Sequence, residues 1–383
     1  MTDWTPLFLM PNLRVIDPVG VDEAAIVNAD DERVRDYCRQ FPQFRNFISK
    51  FTDPFGHKKT PGIFLFQTES PKNFHTMEAV SSFRDLVALS VIPLQRARSL
   101  LHGHSFYTQY ADYFDFYPWS FNDKNGHLVC SSPALSGLDE IESFRGQSSP
   151  VLSPQDFNST DVDNPLLQVL LKRWRQRYGA NKALWPDIAL FRSLNTAFAA
   201  SKIPAGSDIT QFHVGRSIAL WVSAFEILIH TGTQNVKLSQ VYNQIVTAPW
   251  KEKSLLRKGY KPYAMKTKEP LPCWIYGELH RARNDYLHGN PIGPRRLIVK
   301  KSKRHLFNYA ALLYRMALSG FLPIPKPDGD PQTFSRARYD FLVNQNDIER
   351  ALSTIRLSEK AYRAKREAEL KKVKIVWRAG SGA

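Results

Sequence analysis

The hydrophobic pattern of the chain changes near residue 160. Before that point, short apolar runs bounded by Pro, Asn and Gly predict strands, and apolar positions three and four residues apart predict helices. The predicted strands cover residues 7–10, 13–16, 63–66 and 127–130. The predicted helices cover residues 30–48, interrupted at Pro42, and residues 81–101, kinked at Pro93. A mixed α/β domain is therefore expected over residues 1–160.

Helical spacing dominates residues 161–383. Residues 146–164 are rich in Ser, Pro, Asp and Asn, and they predict a domain boundary. The predicted helices cover residues 165–178, 184–200, 208–231, 236–247, 271–287, 304–320 and 346–374. Asp208 and Gln211 form the expected capping box of the third of these helices. The predicted fold class is α+β, with an N-terminal mixed α/β domain followed by an all-α domain.

The positive charge of the chain is concentrated after residue 160. Residues 1–160 hold 14 Lys and Arg against 19 Asp and Glu, whereas residues 161–383 hold 38 against 17. The two parts therefore carry formal charges of −5 and +21. Neutralisation of phosphates supplies most sequence-independent affinity for nucleic acids, and +21 exceeds what solubility alone requires. A polyanionic partner is therefore expected for the second part.

Other features of the sequence limit its setting and its chemistry. Cys38, Cys130 and Cys273 are far apart and form neither a CxxC pair nor a disulfide framework. The N-terminus lacks the features of a signal peptide, and the longest apolar stretch, residues 218–229, is too short to cross a bilayer. We therefore expect a cytoplasmic protein that does not attach to membranes. No metal and no cofactor are expected, since the ten histidines are scattered and no Walker or GxGxxG motif is present.

One stretch, residues 279–289, concentrates the side chains that catalysis uses. Residues 283–288 read Arg-Asn-Asp-Tyr-Leu-His, and Gly289 is placed to end a helix. On an ideal helix, Arg283 and His288 lie about 140° apart. They can therefore meet on one small anion only if the last turn bends or a second copy of the helix completes the site.

The order of residues 283–288 resembles the R-x4–6-H motif of HEPN-domain ribonucleases. Residues 219–229, an apolar segment that carries Glu226 in a Phe-Glu-x-Leu pattern, resemble the earlier helix of that domain. The arrangement is closest to the ApeA-like HEPN proteins, in which an unrelated N-terminal region precedes the helical domain.

This resemblance implies an HEPN-like helical bundle with metal-independent endoribonuclease activity. Such an enzyme leaves 2′,3′-cyclic phosphate and 5′-hydroxyl ends, and a homodimer brings two motifs together. The resemblance also implies a role in bacterial anti-phage defence by abortive infection. Residues 1–160 would then sense an unknown ligand or a phage component. The alternative is a non-catalytic HEPN module that binds RNA or a partner protein.

The residue types of the motif suit RNA cleavage. Histidine is the one side chain whose ordinary pKa lies near neutrality, so His288 is expected to transfer the proton. The guanidinium of Arg283 is expected to hold the charge of the phosphorane, and Asn284 to orient the phosphate or fix the tautomer of His288. The predicted catalytic residues are Arg283, Asn284, Asp285 and His288. In the alternative interpretation, Arg283 and Asp285 form a surface pair and His288 is a polar residue at the helix end.

Further residues are expected to support the motif. A carboxylate in an apolar helix needs a partner, and Arg281 or Arg283 is the expected partner of Glu226. An equally open alternative places Glu226 on the polar side of its helix, beside Ser223 and His230. The predicted supporting residues are Glu226, His280 and Arg281.

A basic run after the motif is expected to contact the RNA backbone. Its members are Arg295, Arg296, Lys300, Lys301, Lys303 and Arg304. A second basic run, in residues 360–374, is open between RNA contact and a solvated helix face.

Two other features have weaker links to function. A second Arg-x5-His spacing, Arg96 and His102, lies in the acidic part and lacks a polar residue after the arginine. It is disfavoured as a nuclease site. The aromatic residues of segment 106–121 are expected to line a core or a ligand pocket rather than to stack on bases.

Overall fold

A computed structural model describes residues 3–53, 56–102, 110–122, 124, 126–130, 155–180, 182–204, 210–233, 235–262, 266–299, 304–322, 324 and 340–356. Its strands lie before residue 158, interleaved with three helices, and the elements described after that point are helices, so the predicted α+β class is confirmed. The strands are β1 (Trp4–Met10), β2 (Leu13–Val15), β3 (Val19–Gly20), β4 (Ala24–Val27), β5 (Gly62–Gln67), β6 (Trp119–Phe121), β7 (Leu128–Cys130) and β8 (Gln155–Phe157). The helices are α1 (Glu32–Gln40), α2 (Pro42–Ser49), α3 (Met77–His102), α4 (Asn164–Gly179), α5 (Trp185–Ala200), α6 (Gln211–Leu228), α7 (Leu238–Val246), α8 (Leu271–Leu287), α9 (Pro294–Leu297) and α10 (Phe307–Phe321). Residues 340–356 form a further helix, α11.

A four-stranded antiparallel sheet organises the N-terminal part, with strand order β1-β5-β4-β3. Along β1, Phe8 and Met10 belong to a large hydrophobic core, whereas Leu9 belongs to a smaller one on the opposite face. This alternation follows from the two-residue period of a strand. Residues of α1, α2 and β6 complete the smaller core. The sheet therefore separates two layers of apolar side chains.

The predicted interruption of the first helix is confirmed. α1 ends at Gln40, and Pro42 is the first residue of α2. Proline suits this position because the first residues of a helix have no intrahelical partner for their N–H groups. The break turns the aromatic rings of Tyr37 and Phe44 toward each other, with centroids 5.2 Å apart.

The large core contains residues from both sides of the predicted boundary at residue 160. α3 contacts α4, α5 and α10, although the sequence assigns it to the first domain. It is buried on almost every side, which suits a helix whose apolar residues are not confined to one stripe. Asp163 at the start of α4 accepts a 2.8 Å hydrogen bond from Nε of Arg315 on α10, and both side chains are buried.

Several elements differ from the sequence expectation. α6 begins at Gln211, with Thr210 and His213 as its capping box, so the expected box of Asp208 and Gln211 is wrong. Asp208 itself lies outside the described residues. α11 includes residues 340–345, before the predicted start at residue 346, and residues 357–374 of that prediction lie outside the described part. No helix in the described ranges is long and apolar enough to cross a membrane.

Candidate functional site

α8 carries the motif and ends where the sequence predicts. It covers Leu271–Leu287, His288 is its C-cap, and Gly289 adopts φ +70° just beyond. A left-handed conformation of this kind is what a glycine after a helix supplies. The N–H of His288 still donates to the carbonyl of Asn284 at 3.0 Å, so the last turn closes regularly.

α6 packs against α8 in an antiparallel manner. Phe225 lies near the middle of α8, with its ring centroid 5.0 Å from that of Tyr276. At the other end of the contact, a Cβ on Gly215 would lie 2.8 Å from Cδ2 of Tyr286. The glycine thus permits the close approach of the two helices at the end that carries His288. An isolated glycine inside an apolar helix is the sequence signal for such an approach, and our sequence reasoning missed it.

Four polar side chains meet between these helices. Nη2 of Arg283 donates to Oε2 of Glu226 at 3.3 Å, and Nη1 donates to Oδ1 of Asn284 at 3.1 Å. Nδ2 of Asn284 lies 3.4 Å from Nδ1 of His280, and Nε2 of His280 lies 4.0 Å from Oε1 of Glu226. Of the two predicted partners of Glu226, Arg283 is the one that contacts it. Glu226 also lies on the partly exposed side of α6, with Ser223 and His230, so the two expected positions describe it together.

The cluster is half-buried, and burial shifts the pKa of two of its members. It raises the pKa of Glu226, and the nearby Arg283 opposes this shift only in part. Burial, assisted by the charge of Arg283, lowers the pKa of His280. His280 is therefore neutral near pH 7 and can accept a hydrogen bond at Nδ1 from the amide of Asn284. Arg283 supplies the positive charge of the cluster.

His288 lies apart from this cluster. Its side chain is exposed at the end of α8, and within the described ranges its imidazole makes no hydrogen bond or ion pair. The regular last turn leaves the angular separation of Arg283 and His288 close to that of an ideal helix. The sequence left two ways for Arg283 and His288 to meet on one anion, a bent last turn or a second copy of the helix. The last turn of α8 is not bent.

Asp285 contacts the basic run and not Arg283. Its Oδ2 lies 2.7 Å from Nε of Arg296 on α9, and its Oδ1 accepts a 3.4 Å hydrogen bond from Nδ2 of Asn290. The surface pair of Arg283 and Asp285, the alternative interpretation of the motif, is not formed. Asp285 instead ties α9 to the end of α8.

The predicted RNA-binding run is described only in part. Arg295 and Arg296 lie on α9, and Arg304 follows it. The backbone N–H of Val299 donates to the carbonyl of Arg304 at 2.9 Å. Lys300, Lys301 and Lys303 lie outside the described residues, as does the basic run of residues 360–374. Arg281 lines a cavity between α8 and α9, together with Arg295 and Arg296.

Two exposed apolar side chains, which the sequence reasoning missed, lie at the His288 end of α6 and α8. Phe212 is 61% exposed one turn before Gly215, and Leu287 is 56% exposed beside His288. Exposed apolar residues mark an interaction surface where they form a contiguous patch. For Leu287, the sequence signal was its position inside the motif.

The other sequence features have structural roles. Arg96 is 1% exposed, and its guanidinium lies 4.4 Å from the ring centroid of Phe307. Burial lowers the pKa of Arg96 to about 10. A guanidinium in this position cannot reach a substrate phosphate, so the second Arg-x5-His spacing is not a surface site. The aromatic residues Tyr113, Phe114, Tyr117 and Trp119 are buried in the two cores, as expected, and residues 106–109 lie outside the described part.

Among the described residues, no group of three or more His, Cys, Asp and Glu side chains is arranged as metal ligands. In comparisons with family models, curated proteins and solved structures, nothing matched this chain, so the HEPN resemblance depends on the residues of α6 and α8 alone.

Proposed function

We propose that this protein is an endoribonuclease of the HEPN type that cleaves RNA without a metal ion. The observation that carries the proposal is the position of Arg283. Its guanidinium is held by Glu226 and Asn284 at the end of α8 where His288 is exposed. The part of the chain that contains this site carries a formal charge of +21, which favours a polyanionic substrate.

The chemistry requires a proton acceptor, a proton donor and a cation. The 2′-hydroxyl of the substrate loses its proton to an imidazole and attacks the adjacent phosphorus, which passes through a phosphorane. The bond from phosphorus to the 5′-oxygen breaks, and that oxygen takes up a proton. The products are a 2′,3′-cyclic phosphate and a 5′-hydroxyl. We assign the proton transfer to His288 and the stabilisation of the phosphorane charge to Arg283.

We propose that a second copy of the chain completes the site. Arg283 and His288 do not converge on one helix, and a two-fold axis beside the end of α8 would bring the motifs of two copies together. The exposed apolar side chains of Phe212 and Leu287 support a contact at this end.

We further propose that the cleavage serves bacterial anti-phage defence by abortive infection in the cytoplasm. Cleavage of host or phage RNA would then follow the binding of a ligand or phage component at the N-terminal part. This role depends on the family resemblance alone.

The test is cleavage of RNA by the purified full chain in EDTA, followed by analysis of the new ends. Wild type is expected to leave 2′,3′-cyclic phosphate and 5′-hydroxyl ends, and His288→Ala to lower the rate by about 100-fold or more. His102→Ala is the matched control, because it removes an exposed histidine from the other Arg-x5-His spacing. Undiminished cleavage by a folded His288→Ala variant would overturn the proposal.

A second candidate function is non-catalytic binding of RNA or a partner protein. The observation that favours it is the ion pair of Arg283 with Glu226, which occupies part of the guanidinium within the chain itself. Filter binding at several salt concentrations, with wild type and Arg283→Ala, separates the two functions. Tight, salt-sensitive binding without cyclic-phosphate ends supports the binding module.

A further inference from the structure

A cavity of about 420 Å³, here the N-terminal cavity, lies between α1, α2 and the residues that precede α1. This volume is within the range of small-molecule sites. The lining residues are Ala29, Asp30, Arg35, Cys38, Arg39, Arg45, Ile48 and Ser49. None of them belongs to the residues that we assign to RNA cleavage, so the N-terminal cavity is separate from the proposed ribonuclease site.

The two helices build the cavity from equivalent positions. α1 contributes Arg35, Cys38 and Arg39, and α2 contributes Arg45, Ile48 and Ser49. In each set the second and third residues follow the first by three and four positions, so each set shares one face of its helix. Because both faces line one cavity, the break between α1 and α2 turns them toward a common space.

Two lining residues give the cavity an apolar surface. Ile48 is 9% exposed, and Cys38 is half-buried. Burial raises the pKa of the Cys38 thiol, and the positive charge of Arg45 opposes this shift. The thiol is therefore protonated at neutral pH and behaves as a small apolar group. An apolar part of a ligand can thus pack on Cys38 and Ile48.

Three exposed arginines line the same cavity, namely Arg35, Arg39 and Arg45. Arg39 is paired with Asp36 at 2.5 Å. In the described part of the chain, no carboxylate lies within ion-pair distance of the other two guanidinium groups. The one carboxylate in the lining is that of Asp30. The lining therefore remains positive, and two guanidinium groups keep their donors for a ligand.

The choice of cation points to an acid group as the ligand. Residues 32–49 contain four arginines and no lysine. A guanidinium offers two parallel donors to a carboxylate or a phosphate, and it is more weakly hydrated than an ammonium group. Arginine is therefore the side chain that binds an acid group in a partly enclosed space. The ligand that fits this lining has an acid group attached to a compact apolar part.

We propose that the N-terminal cavity binds a small organic anion, with its acid group held by Arg35 and Arg45 and its apolar part on Cys38 and Ile48. A carboxylic acid and a phosphate ester present the same chemistry to the two guanidinium groups. The inference concerns binding alone, so it holds whether or not the chain cleaves RNA.

The Cys38 thiol can report the charge inside the cavity. Iodoacetate and iodoacetamide alkylate thiols and are similar in size, but only iodoacetate carries a negative charge. Both react with the same thiolate, so the ratio of their rates does not depend on the pKa of the thiol. The ratio is measured in the full chain by mass spectrometry of the peptide that contains Cys38. We expect it to be about fivefold or more higher in the folded chain than in the chain unfolded in urea.

A matched pair of variants tests the assignment to the arginines. Arg45→Gln removes a guanidinium from the lining, and Arg192→Gln removes an exposed arginine of α5 outside it. Arg45→Gln should lower the ratio of iodoacetate to iodoacetamide rates about threefold or more, because it removes a charge that acts on the thiol. Arg192→Gln should leave the ratio unchanged. If Arg45→Gln does not fold, Arg35→Gln is compared with the same control.

Protection of Cys38 from iodoacetamide measures binding of the anion itself. The probes are benzoate, phenyl phosphate and benzamide, which has the shape of benzoate without its charge. We expect at least one of the two acids to slow alkylation saturably, and benzamide at the same concentration to have less than about a tenth of that effect. Protection by benzoate alone supports a carboxylic acid as the ligand, and protection by phenyl phosphate alone supports a phosphate ester.

Three outcomes would overturn the anion site. They are equal rate ratios in the two arginine variants, absence of saturable protection by either acid, and equal protection by benzamide, which would show that the arginines do not contribute. No step of the experiment measures cleavage. Loss of protection would therefore count against the anion site alone, and absence of RNA cleavage would count against the proposed ribonuclease alone.

Discussion

Arg283 of α8 and Glu226 of α6 form an ion pair at 3.3 Å, and each side chain is 25% exposed. Burial nevertheless raises the pKa of Glu226, so the ionised carboxylate is less favoured in the folded chain than in the unfolded chain. A carboxylate with this property does not primarily stabilise the fold. We therefore interpret Glu226 as a positioning residue, which fixes the guanidinium of Arg283 at the end of α8.

The raised pKa predicts how stability depends on pH. Glu226 contributes stability that is fully present below its unfolded pKa, near 4.5, and that is lost as the pH rises through the higher folded value. Glu226→Gln lacks this titration. The difference in unfolding free energy, wild type minus Glu226→Gln, should therefore fall as the pH rises from about 4.5 toward neutrality, in urea denaturation at a series of pH values.

Glu252→Gln is the control for the sign of this effect. Hydrogen bonds from Ser254 lower the pKa of Glu252, so its contribution is present at high pH and is lost as the pH falls. The difference in unfolding free energy, wild type minus Glu252→Gln, should therefore rise with pH. If the difference for Glu226→Gln also rose with pH, the effect of Arg283 on the pKa of Glu226 would outweigh the effect of burial. The ion pair would then stabilise the fold.

The positioning role of Glu226 predicts different effects of two substitutions on RNA cleavage. Glu226→Gln keeps an oxygen that can accept the hydrogen bond from Nη2 of Arg283, whereas Glu226→Ala does not. We expect Glu226→Gln to cleave within a few-fold of wild type and Glu226→Ala to be about tenfold slower or more. The measurement is the single-turnover rate at saturating RNA. Equal losses in the two variants, with intact thermal unfolding, would mean that the negative charge matters and that the position of Arg283 does not.

The buried pair of Asp163 and Arg315 predicts a large stability effect near the expected domain boundary. Their side chains are 2% and 1% exposed, and Arg315 also donates to Gln345 of α11. Removing one partner leaves an uncompensated charge in the core, so Asp163→Ala should lower the unfolding free energy by about 3–5 kcal/mol. Urea denaturation measures this loss.

A surface pair supplies the control for that measurement. Arg39 and Asp36 are 74% and 42% exposed, so Asp36→Ala should cost less than about 1 kcal/mol. The double variant Asp163→Leu/Arg315→Met should recover most of the loss of Asp163→Ala, because it removes both buried charges together. A small effect of Asp163→Ala would show that water reaches this region.

Local sequence rules predicted most of the helices because their apolar positions recur at helical spacing. α8 begins and ends at the predicted residues, since Pro272 is tolerated in the first turn and Gly289 follows the last. The strands β3 and β4 were missed. They contain two and four residues, and Ala24–Val27 is buried throughout, so alternation gave no signal.

The site was predicted less completely because it depends on contacts between elements. The spacing of Arg283 and His288 was visible in the sequence, but the choice of Arg283 over Arg281 as the partner of Glu226 is made by the packing of α6 on α8. The pairing of Asp285 with Arg296 likewise follows from the position of α9. Periodicity places a residue on one face of its own helix and does not identify the helix that faces it.

The exposed apolar residues at the end of α6 and α8 predict the effect of a charge on assembly. Leu287→Asp should convert the proposed dimer into monomers, because a carboxylate on each copy would enter the proposed contact. Leu184→Asp is the matched control, since Leu184 is 67% exposed at the start of α5. Sedimentation equilibrium measures the mass, and cleavage should fall about 100-fold or more with Leu287→Asp alone.

Mixing two inactive variants tests whether the site is shared between copies. Arg283→Ala and His288→Ala each remove one half of the motif. If the arginine of one copy acts with the histidine of the other, a mixed dimer regains one complete site, and an equal mixture should recover about a quarter of wild-type cleavage. If both residues act within one copy, no mixed dimer contains a complete site. A mixture that exchanges subunits and remains inactive would therefore contradict the shared site, whereas recovery of cleavage would account for the separation of Arg283 and His288 on a regular helix.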